Sequence, residues 1–255
     1  MKSRLRQFYR RALDPAPAAT EQPLIDKVAK FAACEVIEGD YLEFGVYRGG
    51  SFIAAYQALE RQFRRRIASS TGGDGEARGR DRRRAAWEGM RFFAFDSFEG
   101  LPALTEEDRG TDDFEAGQYA CSEAEFREIL AEADVPLERV RTIPGWFEET
   151  CVAPTKEKHN LRKAAVVWID ADLYSSTKAA LDFVTDLLQD GTVLIFDDWF
   201  SYRGSPYAGE QRAFREWSER LTDRFTFAEY QRESWKRMSF IASAVPTDFP
   251  RTPRG

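Results

Sequence analysis

Histidine is nearly missing from these 255 residues: His159 stands alone, so a metal site built on histidine and any two-histidine acid–base scheme are excluded. Cysteine is scarce. Cys34, Cys121 and Cys151 are far apart and odd in number, which excludes a disulfide scaffold and a thiolate zinc site and points to a reducing compartment. No apolar run approaches the ~20 residues a membrane span needs. The opening MKSRLRQFYRRALDPAP is basic but has no apolar stretch, so no secretory signal is read, and a cytoplasmic protein without membrane contact is expected. Basic residues are in the minority: 37 Lys and Arg against 43 Asp and Glu leave a net charge of −6, which argues against a domain built to coat nucleic acid. What the chain does have is apolar mass. With 43% hydrophobic and 14% aromatic residues it can bury one sizeable core, at the upper end for a single domain.

No internal repeat is visible. Residues 1–20 read as a basic tail ending in a Pro/Ala linker, and 22–35 carry apolar positions at helical spacing. Short β-branched and aromatic runs at 41–46, 90–95, 139–143, 164–169 and 192–196 read as strands. Helical patterns lie between them at 49–63, 122–133 and 176–190, the last expected to stop at Gly191. A further helix near 209–222 precedes two runs, 225–230 and 235–243, that read as a closing antiparallel pair. This rhythm predicts an α/β fold: a single Rossmann-like, doubly wound, mostly parallel sheet with a C-terminal antiparallel strand pair. The expected domain spans 21–245, with a C-terminal tail at 246–255. An Arg- and Gly-rich stretch at about 64–88 interrupts it and reads as a solvated, mobile insertion, because no aromatics interleave with the arginines as base stacking would require.

In open α/β sheets ligands bind beyond the carboxyl ends of the strands, so the residues just past each strand belong together. The first group, Glu43 to Ser51, is a glycine-rich strand-to-helix turn without the G-x-G-x-x-G dinucleotide pattern, and its acid suits an amine-bearing ligand. Asp96 closes the second strand, where a carboxylate accepts ribose hydroxyls; Asp96 or Ser97 could equally cap a helix. Gly145-Trp146 follow the third strand. Two later strands deliver Asp170, Asp197 and Asp198 to one end of the sheet, with Asp172 close by. Three carboxylates with no basic partner in the neighbouring sequence repel one another, and a hard divalent cation such as Mg²⁺, Ca²⁺ or Mn²⁺ resolves the repulsion. Trp168 is expected in the core, Trp146 and Trp199 near the pocket, and His159 in an exposed loop.

LEFGVYRGGS, FAFDSFEGLP, WIDADLYSST and IFDDW, in this order, resemble the macrocin O-methyltransferase family of class I S-adenosylmethionine-dependent enzymes that tailor sugars in antibiotic pathways. The resemblance runs over roughly 35–243 and leaves out the Arg-rich insertion and the C-terminal tail. It implies methyl transfer to a hydroxyl of a small molecule, a glycoside above all. The cofactor site it implies has Glu43, Gly45, Tyr47 and Ser51 at the amino-acid end and Asp96, with its neighbour Ser97, at the ribose. Gly145 and Trp146 fall near the adenine. Asp170, Asp197 and Asp198 match the ligands of a Mg²⁺ or similar ion, Asp170 also reaching the cofactor, and Asp172 matches the general base. Relatives form dimers or larger assemblies, so a homo-oligomer is an open expectation. The segment 201–211 is expected to meet the acceptor through Tyr202, Arg203, Tyr207 and Glu210, with the first helix and loop 100–120 as lids. Two rival readings stay open. One takes Asp170 and Asp172 as the D-x-D of a metal-dependent glycosyltransferase; the other is a non-catalytic nucleic-acid-binding module using the arginines of the insertion.

Overall fold

The computed structural model describes residues 22–69, 74–108 and 114–246. The basic N-terminal segment, residues 109–113 of the expected lid and nearly all of the C-terminal tail lie outside the described residues.

Seven strands form one sheet: β1 (Asp40–Phe44), β2 (Phe92–Asp96), β3 (Val140–Pro144), β4 (Ala164–Ile169), β5 (Val193–Phe196), β6 (Phe225–Glu233) and β7 (Arg237–Ala244). Their order is β3-β2-β1-β4-β5-β7-β6, with β1 to β5 mutually parallel and β7 antiparallel to both neighbours. The chain starts at β1 in the middle, winds out to β3, then crosses to β4 and β5. The topological switch point therefore falls between β1 and β4, where ligand sites of such sheets lie.

Alternating side chains of the central strands feed two cores. Tyr41, Phe92, Ala94, Val166, Trp168 and Ile195 face one side, together with α1 (Leu24–Glu35), α2 (Gly50–Ser69) and Phe126 and Leu130 of α4 (Glu123–Glu132). Leu42, Phe44, Phe93, Phe95, Val167, Ile169 and Phe196 face the other, under α7 (Tyr174–Val184) and α8 (Gly209–Glu219). Burial on both faces explains why these strands read as continuous apolar runs. Local chemistry sets the helix ends. Ser122 caps α4, its hydroxyl accepting the Glu125 N–H at 3.2 Å.

Three expectations need correction. The stretch around 64–88 is helical over most of its length: α2 continues to Ser69, and Asp74–Gly89 forms α3. Arginine and alanine are good helix formers, and the end of α3 is anchored apolarly. Ala86 and Trp87 are buried; the Trp87 ring stacks on Phe63 with centroids 5.8 Å apart and carries the Arg139 guanidinium 3.9 Å above it. The helix expected to end at Gly191 stops earlier, with α7 closing at Val184 and a 3₁₀ turn at Thr185–Leu187. Leu187 is buried in the second core, and Gly191 instead turns the chain into β5.

Two short helices, α5 (Phe147–Thr150) and α6 (Ala153–His159), connect β3 to β4. His159 is the last residue of α6, its ring edge-on to Phe93, rather than an exposed loop residue. No helix among the described residues is long and apolar enough to cross a membrane.

Trp87→Ala removes a buried indole, its stack and its cation–π partner, and is expected to cost about 3 kcal/mol or more. Denaturant unfolding measures it; a change under about 0.5 kcal/mol would mean that α3 does not share the core.

Candidate active site

The switch point is built by backbone first. Phe44 O accepts the Asp170 N–H and Phe95 O accepts the Gly45 N–H, both at 2.9 Å, which ties the ends of β1, β2 and β4. Gly45 has φ +86°, and a Cβ there would sit 2.0 Å from the Asp170 carbonyl oxygen, so only glycine fits. Tyr47, next in the turn, is partly exposed and T-shaped against Tyr119 of the loop after β2.

Asp96 acts on this turn. Its Oδ2 accepts the N–H groups of Val46 at 2.7 Å and Tyr47 at 3.2 Å, while Oδ1 accepts that of Phe98 at 2.7 Å. Burial pushes its carboxyl above the ordinary value and the three N–H donors pull against that. Ser97 closes a local turn, donating to Gly100 O at 2.7 Å and accepting from Glu99 N. Gly145 and Trp146 lie half-buried just beyond β3, with the Gly145 N–H donating to Asp96 O at 3.0 Å.

Glu43 lies deeper than an amine-binding acid at the turn surface would. It is fully buried, accepting from the Tyr41 hydroxyl and, at 2.5 Å, from the Ser51 hydroxyl at the start of α2. Its side chain leaves β1 on the α1/α2 side, so it clamps strand to helix from below. Burial dominates its titration and pushes the pKa up to about 8, with Ser51 and Tyr41 opposing.

The acids after β4 and β5 converge. Oxygens of Asp170, Asp172 and Asp198 lie within 4.8 Å of one another. Asp172 is held in the left-handed region at φ +58°, and its carbonyl accepts the Tyr202 hydroxyl at 3.2 Å. Burial, then the neighbouring acids, raises the pKa of Asp170 and Asp172 well above the carboxylate range. Glu210 joins from the start of α8: it is 1% exposed, and its Oε2 accepts the Asp198 N–H at 3.0 Å. Glu210 Oε1 and Asp198 Oδ2 are buried and receive no hydrogen bond.

Asp197 does not turn toward this group. Arg237 holds its Oδ1 and Lys236 its Oδ2, the latter at 2.5 Å, and Lys236 Nζ also lies 3.1 Å from Asp198 Oδ1. Burial works against ionisation of Asp197, but the two cations outweigh it and hold its carboxyl below the ordinary value. The acids thus have the basic partners that the neighbouring sequence does not offer. Lys236 and Arg237 are some 40 residues away in sequence, and their signal is strand pairing: β5–β7 register matches Phe196 with Met238, so its continuation sets Arg237 opposite Asp197 and Lys236 opposite Asp198.

Asp108 was also invisible as a site residue. Buried in the loop after β2, it accepts from Ser175 N at 3.0 Å, Ser175 Oγ at 2.9 Å and Thr105 Oγ1 at 2.6 Å, fastening that loop to the start of α7 beside Asp172. Leu101, Leu104, Phe114 and Tyr119 of the same loop pack with Leu173 and Tyr202. Of the expected acceptor contacts, Tyr202 and Glu210 are buried against the acids, while Arg203 and Tyr207 are exposed. Trp168 is in the core as expected, and Trp199 packs among Phe196, Phe214 and Phe240.

A 3-2-1-4-5-7-6 sheet with an antiparallel seventh strand, a glycine turn after β1 and an acid ending β2 defines the class I methyltransferase fold. The family model described as macrocin-O-methyltransferase (TylF) matches residues 83–232, and the chain belongs to that family. It is similar to a 4'-O-methyltransferase of a rhamnosyl tetracenomycin from Streptomyces olivaceus, 30% identical over 178 residues, covering 64% of this chain and 54% of that protein. Demethyldecarbamoylnovobiocin O-methyltransferase from Streptomyces niveus is 32% identical over 169 residues, covering 64% and 53%. The chain therefore spans about half the length of the curated relatives it matches. Among solved structures, the calicheamicin methyltransferase CalS11 superposes with a TM-score of 0.60 at 21% identity over 94% of this chain and 92% of that one. The O-methyltransferase NovP gives 0.56 at 23% identity over 85% and 77%.

Because the folded-state value of Glu43 lies above the ordinary 4.5, its ionisation opposes folding: its contribution is intact below about pH 4.5 and is lost as the pH rises toward 8. Glu43→Gln is expected to flatten the fall in melting temperature between pH 5 and 8.5. An unchanged slope would assign that loss to other groups.

Proposed function

We propose that this chain transfers a methyl group from S-adenosylmethionine to a hydroxyl of a small molecule, a sugar of a glycosylated natural product. The observation that carries the reading is the meeting of the Asp170, Asp172 and Asp198 oxygens beside the Gly45 turn, in a chain of this family. The sugar substrate class is supported by the Streptomyces olivaceus relative, whose name specifies 4'-O-methylation of a rhamnosyl tetracenomycin.

In this reading the cofactor lies across the ends of β1, β2 and β3. Gly45 and Tyr47 would border its amino-acid end, with Glu43 and Ser51 bracing that turn from beneath. Asp96 and Ser97 would face the ribose; three N–H donors leave the Asp96 carboxylate about one lone pair to spare, on Oδ1. Gly145 and Trp146 would flank the adenine.

The donor set is all oxygen, and the buried Asp198 Oδ2 lacks a donor, which fits a hard divalent ion such as Mg²⁺. Asp170 and Asp198 would hold it, with Asp197 completing the set if Lys236 gives way. When bound, such an ion supplies acidification of the acceptor hydroxyl and a fixed pose for vicinal oxygens. The protein residues do the remaining work. With a cation offsetting its acid neighbours, Asp172 would be ionised and would take the hydroxyl proton as the oxygen–methyl bond forms and the methyl–sulfur bond breaks, the displaced pair remaining on sulfur. Tyr202 fixes the backbone of Asp172, and Asp108 fastens its loop to Ser175 at the start of α7.

The rival glycosyltransferase reading predicts nucleotide-sugar affinity instead. Calorimetry is expected to detect S-adenosylmethionine or its demethylated product and no UDP-sugar; the opposite pattern would sink the proposal. Asp172→Asn is expected to lower turnover by about 100-fold or more while keeping Mn²⁺ affinity, whereas Asp170→Asn loses both. Loss of Mn²⁺ binding in Asp172→Asn would make Asp172 a ligand and not the base.

A further inference from the structure

Lys236 and Arg237 reach the acids on the same turn, yet they are held differently. The Arg237 guanidinium is shared between Asp197 and Glu233, with Nη1 2.9 Å from Glu233 Oε2, and it lies 5.6 Å from the Trp168 ring centroid. Half of its support thus lies outside the acid group. Lys236 is different. Its side chain is only 15% exposed, and the ion-pair partners of its Nζ are Asp197 at 2.5 Å and Asp198 at 3.1 Å. Its backbone is anchored separately, the carbonyl accepting the Phe200 N–H at 3.3 Å and its own N–H donating to Ser234 Oγ at 3.3 Å. An ammonium on a four-carbon stem is compact and rotatable, so it can leave without moving the hairpin; a guanidinium shared between Asp197 and Glu233 is held from two sides.

The charges do not balance with both cations in place. Lys236 and Arg237 bind Asp197, Asp198 and Glu233, so three carboxylates share two cations, with Asp170, Asp172 and Glu210 beside them. Acids are in excess at the place where Asp198 Oδ2 and Glu210 Oε1 lack donors.

We propose that the Lys236 ammonium is a built-in cation of this centre, competing with a divalent ion for Asp197 Oδ2 and Asp198 Oδ1. The inference rests on the divalent-ion reading above and adds a residue that tunes it. Lys236 shields the carboxylates from one another while the ion is absent, and weakens ion binding by holding two of the oxygens and adding a like charge. Affinity for the ion is thereby set by displacement of a side chain as well as by the ligands.

The test is Mn²⁺ titration of the cofactor-free protein by calorimetry, with thermal melting of each variant in parallel. Lys236→Met is expected to bind Mn²⁺ about tenfold more tightly than wild type or better, and to melt lower than wild type without Mn²⁺ but recover with it. Lys236→Gln, a polar replacement of similar length, is expected to behave alike if the methionine variant does not fold. Lys236→Arg, which keeps the charge, is expected to stay within about threefold of wild type. Equal or weaker Mn²⁺ binding by both neutral variants would overturn the role of Lys236 and leave the ion site standing. Absence of Mn²⁺ binding by every form up to millimolar concentration would overturn the ion site and the role of Lys236 together.

Discussion

Like charge gathered in a dry place is the constraint around which this protein is arranged. Parallel strands β4 and β5 end side by side, and each is followed directly by aspartate, so forming the sheet forces carboxylates together. Burial then raises the cost of every negative charge. The surroundings answer that cost piece by piece. Arg237 arrives from the start of β7 and Lys236 from the turn before it, the Asp198 N–H is turned onto Glu210, and Tyr202 steadies the strained Asp172 backbone. The answer is incomplete at Asp198 and Glu210, and chemistry that brings positive charge to this spot fits the remainder.

The glycine turn serves the same end by a different means. Gly45 lets the β1 backbone close onto the Asp170 carbonyl, while Asp96 gathers the next two N–H groups of the turn. Three strand ends are thereby fixed relative to one another before any ligand is present. Such a frame suits transfer between two bound molecules, where most of the acceleration comes from holding the reacting atoms in line.

Much of this was legible in the sequence because it depends on local pattern. Parallel strands buried on both faces announce themselves as runs such as AAVVWI and TVLIF, and strand-end aspartates follow directly from them. What could not be read depends on pairing and direction. Glu43 looks like a surface acid of the turn until the strand's alternation sends it inward toward Ser51 and Tyr41. Lys236 and Arg237 look like hairpin polarity until the antiparallel register with β5 sets them against Asp198 and Asp197. The arginine-rich stretch reads as a loop because charge and glycine dominate it; Trp87, one residue near its end, ties it to Phe63 and Arg139. Asp108 carried no signal, since a single acid in a polar loop looks like any other.

The hairpin that delivers the cations is also the last part of the sheet to be made. A ribosome releases Asp170, Asp172, Asp197 and Asp198 well before Lys236, so a nascent sheet ending at β5 would hold its aspartates together without their counter-charges. β7 covers the edge of β5 and the residues at its start bring both cations to the aspartates, so one element supplies edge protection and charge compensation.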